Sequence, residues 1–301
     1  MKNEIKKYEN VLHFAKEWGL SERSVRNYCA NGRIDGAVLK GKTWFIPSDA
    51  VKPDRLNKSE LKRNYLLERI LKEKKASISG GIYHKIQIDL TYNSNHIEGS
   101  KLTHDETKYI FETKTIGIGK AKNVDDIVET ANHFKCVDLI IENVHHKLSE
   151  SFIKKLHFTL KNGTTDSRTS YFKVGDYKEL PNEVSGKKTT EPSRVRSEIR
   201  KLLEKYNSKD ECTLKDLIDF HYNFEMIHPF QDGNGRVGRL ILFKECLKNN
   251  IVPFIITDEL KYYYYRGLNE WKKEKNYLMD TCLTAQDKFK IILDYFKIRY
   301  N

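Results

Sequence analysis

Within twelve residues, His228-Pro229-Phe230-Gln231-Asp232-Gly233-Asn234-Gly235-Arg236-Val237-Gly238-Arg239, the chain places one base, one acid, an amide, three glycines and two arginines. A helix-like apolar run, Leu240, Ile241, Leu242 and Phe243, follows at once. A glycine-rich turn that opens into a helix presents unpaired backbone N–H groups at the positive end of the helix dipole, which makes an anion site. Arg236 and Arg239 add permanently charged, fork-shaped donors suited to phosphate oxygens. Asp232 offers a hard oxygen ligand to a cation such as Mg2+. His228 titrates near neutrality and can act as a base. The residues by themselves point to phosphate chemistry on a nucleotide. The plainer alternative is a capped helix with surface arginines, but a cap needs only one or two such residues.

The segment resembles the signature of the Fic family, His-x-Phe-x-(Asp/Glu)-Gly-Asn-Gly-Arg-x-x-Arg, and fills every fixed position of it. The resemblance implies a mainly α fold: a Fic-type helical domain with a β-hairpin flap. It implies transfer of AMP from ATP to a Ser, Thr or Tyr hydroxyl of a target protein or of the chain itself. His228 then takes the hydroxyl proton, and Asp232 holds the Mg2+ that bridges the phosphates. Gly233, Asn234 and Gly235 form the anion cradle, Arg236 and Arg239 face the β- and γ-phosphates, and Phe230 anchors the loop. Such transfer depends mostly on positioning and charge, which these residue types supply. In the Doc-like branch, which phosphorylates, a larger residue usually replaces the central glycine. Gly235 therefore favours AMP transfer over phosphate transfer.

Far upstream, Ser94-Asn95-His96-Ile97-Glu98-Gly99 resembles the family's inhibitory motif, (Ser/Thr)-x-x-x-Glu-(Gly/Asn). Ser94 and Glu98, four residues apart, share one helical face, and Gly99 suits the helix end. The resemblance implies an inhibitory helix near 82–99 whose Glu98 pairs with Arg239 and denies it to the γ-phosphate. Some family members remove AMP with this glutamate positioning a water, and the sequence leaves that open. Between the two motifs, 170–192 is rich in β-branched, aromatic and turn residues and reads as the flap hairpin, with Val174-Gly175-Asp176-Tyr177-Lys178 as its leading edge. In Tyr262-Tyr263-Tyr264-Tyr265, one or two tyrosines, Tyr264 foremost, are expected to line the adenine pocket, the others to pack.

Residues 1–50 read differently. Phe14-Ala15, Gly19-Leu20 and Ser21 through Cys29 give two short helices around a tight turn, with Ser21 as N-cap of the second. Residues 36–47 alternate around Lys40-Gly41-Lys42 as a small β-wing. The combination resembles the winged helix-turn-helix of excisionase and MerR-type proteins. If this module binds DNA, Arg23, Ser24, Arg26 and Asn27 face the major groove and Lys40 and Lys42 meet phosphate. The alternative is a module for protein contact. A linker is expected over 51–59 and the Fic-type domain over 60–301.

The net charge of +12 permits an acidic partner, DNA or ATP, without demanding one. The five cysteines are widely spaced and predict free thiols. Without an N-terminal apolar segment or an apolar run near about 20 residues, the expectation is a cytoplasmic chain with no membrane span. Monomer and homo-oligomer both stay open. The main rival to an adenylyltransferase is a DNA-binding regulator that only senses nucleotide, against which the intact His228 speaks.

Overall fold

The computed structural model describes residues 7–30, 33–53, 63–117, 121–184 and 187–300. The chain divides into two compact units, one ending at Arg63 and one running from Asn64 to Tyr300. Most of the linker expected over 51–59 lies outside the described residues.

The N-terminal unit consists of β1 (Tyr8–Asn10), α1 (Val11–Trp18), α2 (Glu22–Ala30), β2 (Val38–Lys40) and β3 (Thr43–Pro47). The strands form an antiparallel sheet in the order β1-β3-β2, with Leu39 opposite Trp44. Gly19 ends α1 in the left-handed region at φ 64°, a conformation glycine adopts without steric cost. Ser21 Oγ accepts the Ser24 backbone N–H at 3.1 Å and so caps α2. Phe14, Trp18, Val25, Cys29 and Ile46 are buried together as the core of this small unit.

The larger unit is helical: α3 (Tyr65–Lys75), α4 (Ile82–Ile97), α5 (His104–Thr113), α6 (Val124–Glu142), α7 (Glu150–Lys161), α8 (Pro192–Asn207), α9 (Leu214–Ile227), α10 (Asn234–Lys248), α11 (Asp258–Glu270) and α12 (Asn276–Tyr295). Its ends are set by local chemistry. Thr103 and Glu106 form a reciprocal capping box at α5, as Thr213 and Asp216 do at α9. Helix α10 lies at the centre and packs against α4, α6, α7 and α9. Every residue from Arg236 to Leu247 is buried. A helix covered on all sides has no polar face to spare, so its apolar run continues around the cylinder. Its charged members need buried partners: Lys244 pairs with Glu245 at 2.7 Å and donates to the His146 carbonyl.

The flap is shorter than the sequence suggests. Strand pairing is confined to β4 (Glu183–Val184) and β5 (Lys187–Lys188), joined antiparallel. Residues 170–182 hold no strand and run as turns against the body of the domain. Turn-rich composition signalled a chain reversal correctly but overstated the paired length, because backbone and side-chain groups here bond in turns and to the signature loop, Lys178 N–H to Pro229 and Asn182 Nδ2 to Phe230.

Candidate active site

The signature begins where α9 stops. His228 caps α9 in the left-handed region, φ 50° and ψ 64°, and its N–H still donates to the Phe224 carbonyl at 3.0 Å. A non-glycine residue held at positive φ is uncommon and marks a position fixed by its surroundings. Pro229 then lacks the N–H to continue a helix. Phe230 is fully buried with its ring stacked on His157, centroids 3.9 Å apart. Gly233, at φ 80°, turns the chain into α10.

Asn234 closes this loop from within. Its Oδ1 accepts the Phe230 N–H and its Nδ2 donates to the Phe230 carbonyl, both at 2.8 Å. It is buried, so its amide braces the loop and does not face outward as a donor for an anion. His157 supports the loop from the other side. Its Nδ1 accepts the Gly175 N–H at 3.0 Å while Nε2 lies 3.2 Å from the Asp232 carbonyl. One neutral tautomer, protonated at Nε2, satisfies both. Burial, aided by the Lys161 charge, pushes its pKa down to about 3. The segment before the flap is tied to the same loop: Lys178 N–H donates to the Pro229 carbonyl and Asn182 Nδ2 to the Phe230 carbonyl.

His228 itself is only partly covered, and its Nδ1 has no protein partner. Burial, followed by the nearby Lys178 charge, lowers its pKa to about 4. The imidazole is therefore neutral at physiological pH and able to take a proton. Lys178 is buried and donates to Asn182 Oδ1 and Thr189 Oγ1, each at 2.6 Å. Burial lowers its own pKa to about 8.

Across the cradle from α9 lies the end of α4. Glu98 Oε1 accepts from Arg239 Nη2 at 2.7 Å, and the same guanidinium donates to the Ser94 carbonyl at 2.8 Å and from Nε to Ser94 Oγ at 3.2 Å. A methyl group on Gly235 would come within 2.2 Å of Glu98 Oε1. The carboxylate thus rests directly over the first turn of α10, where unpaired N–H groups and the dipole favour an anion. Burial works against the charge on Arg239, but Glu98, followed by Tyr264, Tyr265 and Glu225, more than offsets it, so the guanidinium stays protonated.

Asp232 and Arg236 belong to a second charged group. Asp232 Oδ2 accepts from Lys161 Nζ at 2.7 Å and from Arg236 Nη2 at 3.0 Å. Lys161 and Arg236 each also bond to Glu129 on α6. Burial opposes ionisation of Asp232, but the Arg236 and Lys161 charges hold its carboxyl well below the usual range. Arg236 is only 6 % exposed and is paired with both Glu129 and Asp232. Tyr264 departs from expectation. It is buried beneath the site with its hydroxyl 2.6 Å from His221 Nε2, so no ring face is open to a base.

The structure thus brings His228, Asp232, Gly233, Gly235, Arg239, Ser94 and Glu98 together. Glu129, Lys161, His157 and Glu225 join them without any sequence signal of their own, and Lys178 arrives with the flap segment. Glu225 is buried one turn before His228, and burial raises its pKa to about 8. Asp232 is a single carboxylate, and both cations hydrogen-bond to its Oδ2. The described residues hold no group of three or more His, Cys, Asp or Glu arranged for a metal ion. The donor set fits a hard cation whose remaining ligands are nucleotide oxygens and water.

A charged helix start with a neutral histidine beside it forms an anion-suited cradle on a helical scaffold. Residues 147–245 match the family model described as Fic/DOC family. The Protein adenylyltransferase Fic of Nematostella vectensis is 27 % identical over 184 residues, covering 60 % of this chain and 42 % of the relative. The Protein adenylyltransferase fic-1 of Caenorhabditis elegans is 25 % identical over 191 residues, covering 59 % of this chain and 35 % of the relative. The matched stretch therefore spans less than half the length of either curated relative. A Fic domain containing signaling protein from Bacteroides thetaiotaomicron superposes with a TM-score of 0.61 at 23 % identity, covering 76 % of this chain and 94 % of that one. Fic-1 of C. elegans, residues 134–508, superposes with a TM-score of 0.58 at 16 % identity over 78 % of this chain and 72 % of that one. The mainly helical fold with its small antiparallel hairpin is that of these Fic-domain structures.

Proposed function

We propose that this chain is a protein adenylyltransferase whose own Glu98 holds it inactive. The observation that carries the reading is the seat of the Glu98 carboxylate over Gly235, paired with Arg239, beside a neutral and partly open His228. An anion already occupies the position that suits a nucleotide phosphate. The reaction transfers AMP from ATP: the acceptor hydroxyl oxygen bonds to the α-phosphorus, the bond to the β-phosphate oxygen breaks, and pyrophosphate leaves. His228 takes the hydroxyl proton. Gly233 and Gly235 let the α10 N–H groups approach the phosphates, and Arg239, once freed from Glu98, grips the terminal one. Mg2+ held by Asp232 and the nucleotide would neutralise phosphate charge.

Intact-protein mass spectrometry of Glu98→Gly beside the native chain, each with Mg-ATP and a panel of candidate targets, tests this. The expected result is a mass gain of one AMP on the variant reaction alone. A gain of one phosphate would instead assign phosphate transfer. Loss of AMP from a modified target with the native chain, released as free AMP by water, would instead assign hydrolytic AMP removal.

The N-terminal unit supports a second, separate reading as a DNA-binding module. Helix α2 exposes Arg23, Arg26 and Asn27 opposite buried Val25 and Cys29, and the β2–β3 turn exposes Lys40 and Lys42. Arg26 is paired with Glu22, which leaves Arg23 and the two lysines as the freer cations. Binding to duplex DNA that weakens in Arg23→Ala with Lys40→Ala, and weakens again with added salt, is the expected outcome.

A further inference from the structure

Glu129, Lys161, Asp232 and Arg236 close a ring of alternating charge. Lys161 Nζ bonds to Glu129 Oε1 and to Asp232 Oδ2, and Arg236 bonds through Nη1 to Glu129 Oε2 and through Nη2 to Asp232 Oδ2. The members come from α6, α7, the signature loop and α10. Three of them are enclosed, with side-chain exposures of 12 % for Glu129, 3 % for Lys161 and 6 % for Arg236. The side chain of Asp232 is 52 % exposed. The buried part of the ring therefore grips one oxygen, Oδ2, of a carboxylate whose other oxygen neither cation engages. Asp166 adds a carboxylate to Lys161 at 2.9 Å from the outer side.

Ordinary charge arithmetic makes this arrangement odd for a cation ligand. Two positive side chains beside Asp232 repel any further cation. If attraction alone mattered, Lys161 would be a liability. What the ring gives in return is orientation: a carboxylate on a glycine-flanked loop would otherwise sample several rotamers. We infer that Glu129 and Lys161 are positioning residues for Asp232, fixing its carboxylate so that Oδ1 is presented to a divalent cation travelling with the nucleotide. This inference rests on the nucleotide-transfer reading of the site. Neither residue touches substrate; both act through Asp232.

The two views predict opposite signs. In the full-length chain carrying Glu98→Gly, Mn2+ binding in the presence of a non-hydrolysable ATP analogue is read by electron paramagnetic resonance. Binding of the analogue without metal is measured alongside it. Lys161→Met makes the ring more negative, so charge alone would tighten Mn2+ binding. Loss of positioning should weaken it about 10- to 100-fold, as for other residues that orient metal ligands, while metal-free analogue binding stays unchanged. Glu129→Gln with Lys161→Gln keeps the ring electrically neutral, breaks its hydrogen bonding to Asp232 through Lys161, and should show the same loss. It decides the question if Lys161→Met fails to fold. Unchanged or tighter Mn2+ binding in a folded variant overturns the inference while leaving the reaction class standing. If the parent chain binds no Mn2+ with the analogue, the nucleotide-transfer reading falls, and this inference falls with it.

Discussion

In the proposed reaction His228 serves as the base in its neutral form, and its surroundings extend that form to lower pH. Its pKa of about 4 arises first from burial and then from Lys178, so the proton-accepting form dominates above that value. The acid limb of kcat/KM for AMP transfer by Glu98→Gly is expected near pH 4, well below the 6.5 of an unperturbed imidazole. A limb at 6.5 would detach the rate from this histidine. His228→Ala should abolish transfer and leave ATP affinity within about twofold, since proton removal and phosphate binding are separate tasks. Glu98 acts in the opposite sense. Glu98→Gly removes the carboxylate from Arg239 and from the α10 N–H groups, so both ATP affinity and transfer rate should rise. Calorimetry of ATP binding that shows no gain would remove the brake from the proposal.

Elements meet closely where side chains are missing. Gly267 on α11 faces α12, and a methyl group there would lie 2.7 Å from the Leu278 Cα, a backbone atom that cannot swing aside. Gly267→Ala should therefore cost about 1–3 kcal/mol by overpacking and lower the thermal midpoint by several degrees. Calorimetric melting that matches the native chain would mean the helices can part freely. At the start of α9, Thr213→Ala removes one half of a capping box, with an expected loss of about 1 kcal/mol. The Gly19 end of α1 and the Ser21 cap of α2 were readable along the chain, because caps and glycines act within a few residues of themselves. The flap was less readable. The sequence of 170–192 carries turn and strand residues, yet the bonds of Lys178 and Asn182 run to Pro229 and Phe230, some fifty positions away.

At the scale of the whole molecule, three buried histidines and the half-buried His228 give the fold a common weakness to acid. Burial lowers His133, His157 and His221 to about 3 and His228 to about 4, against 6.5 for an unperturbed imidazole. Between these values the unfolded chain binds more protons, so the stability present above 6.5 is lost as pH falls toward 3. Glu225 runs the other way, because its raised pKa of about 8 makes the folded state the better proton binder between 4.5 and 8. The urea midpoint should drop steeply from pH 6 to pH 4 and change far less above neutrality. A flat profile across the acid range would show that the histidines are not enclosed as described. Among the described residues no helix is long and apolar enough to cross a membrane.

The sequence by itself determined the reaction chemistry on offer: a base, an acid, glycines and arginines at one helix start, and a second, six-residue motif that could face them. These patterns are local, and local patterns follow from dihedral preference, capping and helix periodicity. Only the tertiary structure decided what each charge does. Asn234, Arg236 and Tyr264 read as ligands for a nucleotide in the linear chain, and packing turns them inward, onto Phe230, Glu129 and His221. Glu129 and Lys161 are unremarkable helix residues until α6 and α7 bring them against α10. A buried charge must find its opposite wherever the fold supplies it, and that partner carries no mark at its own place in the sequence.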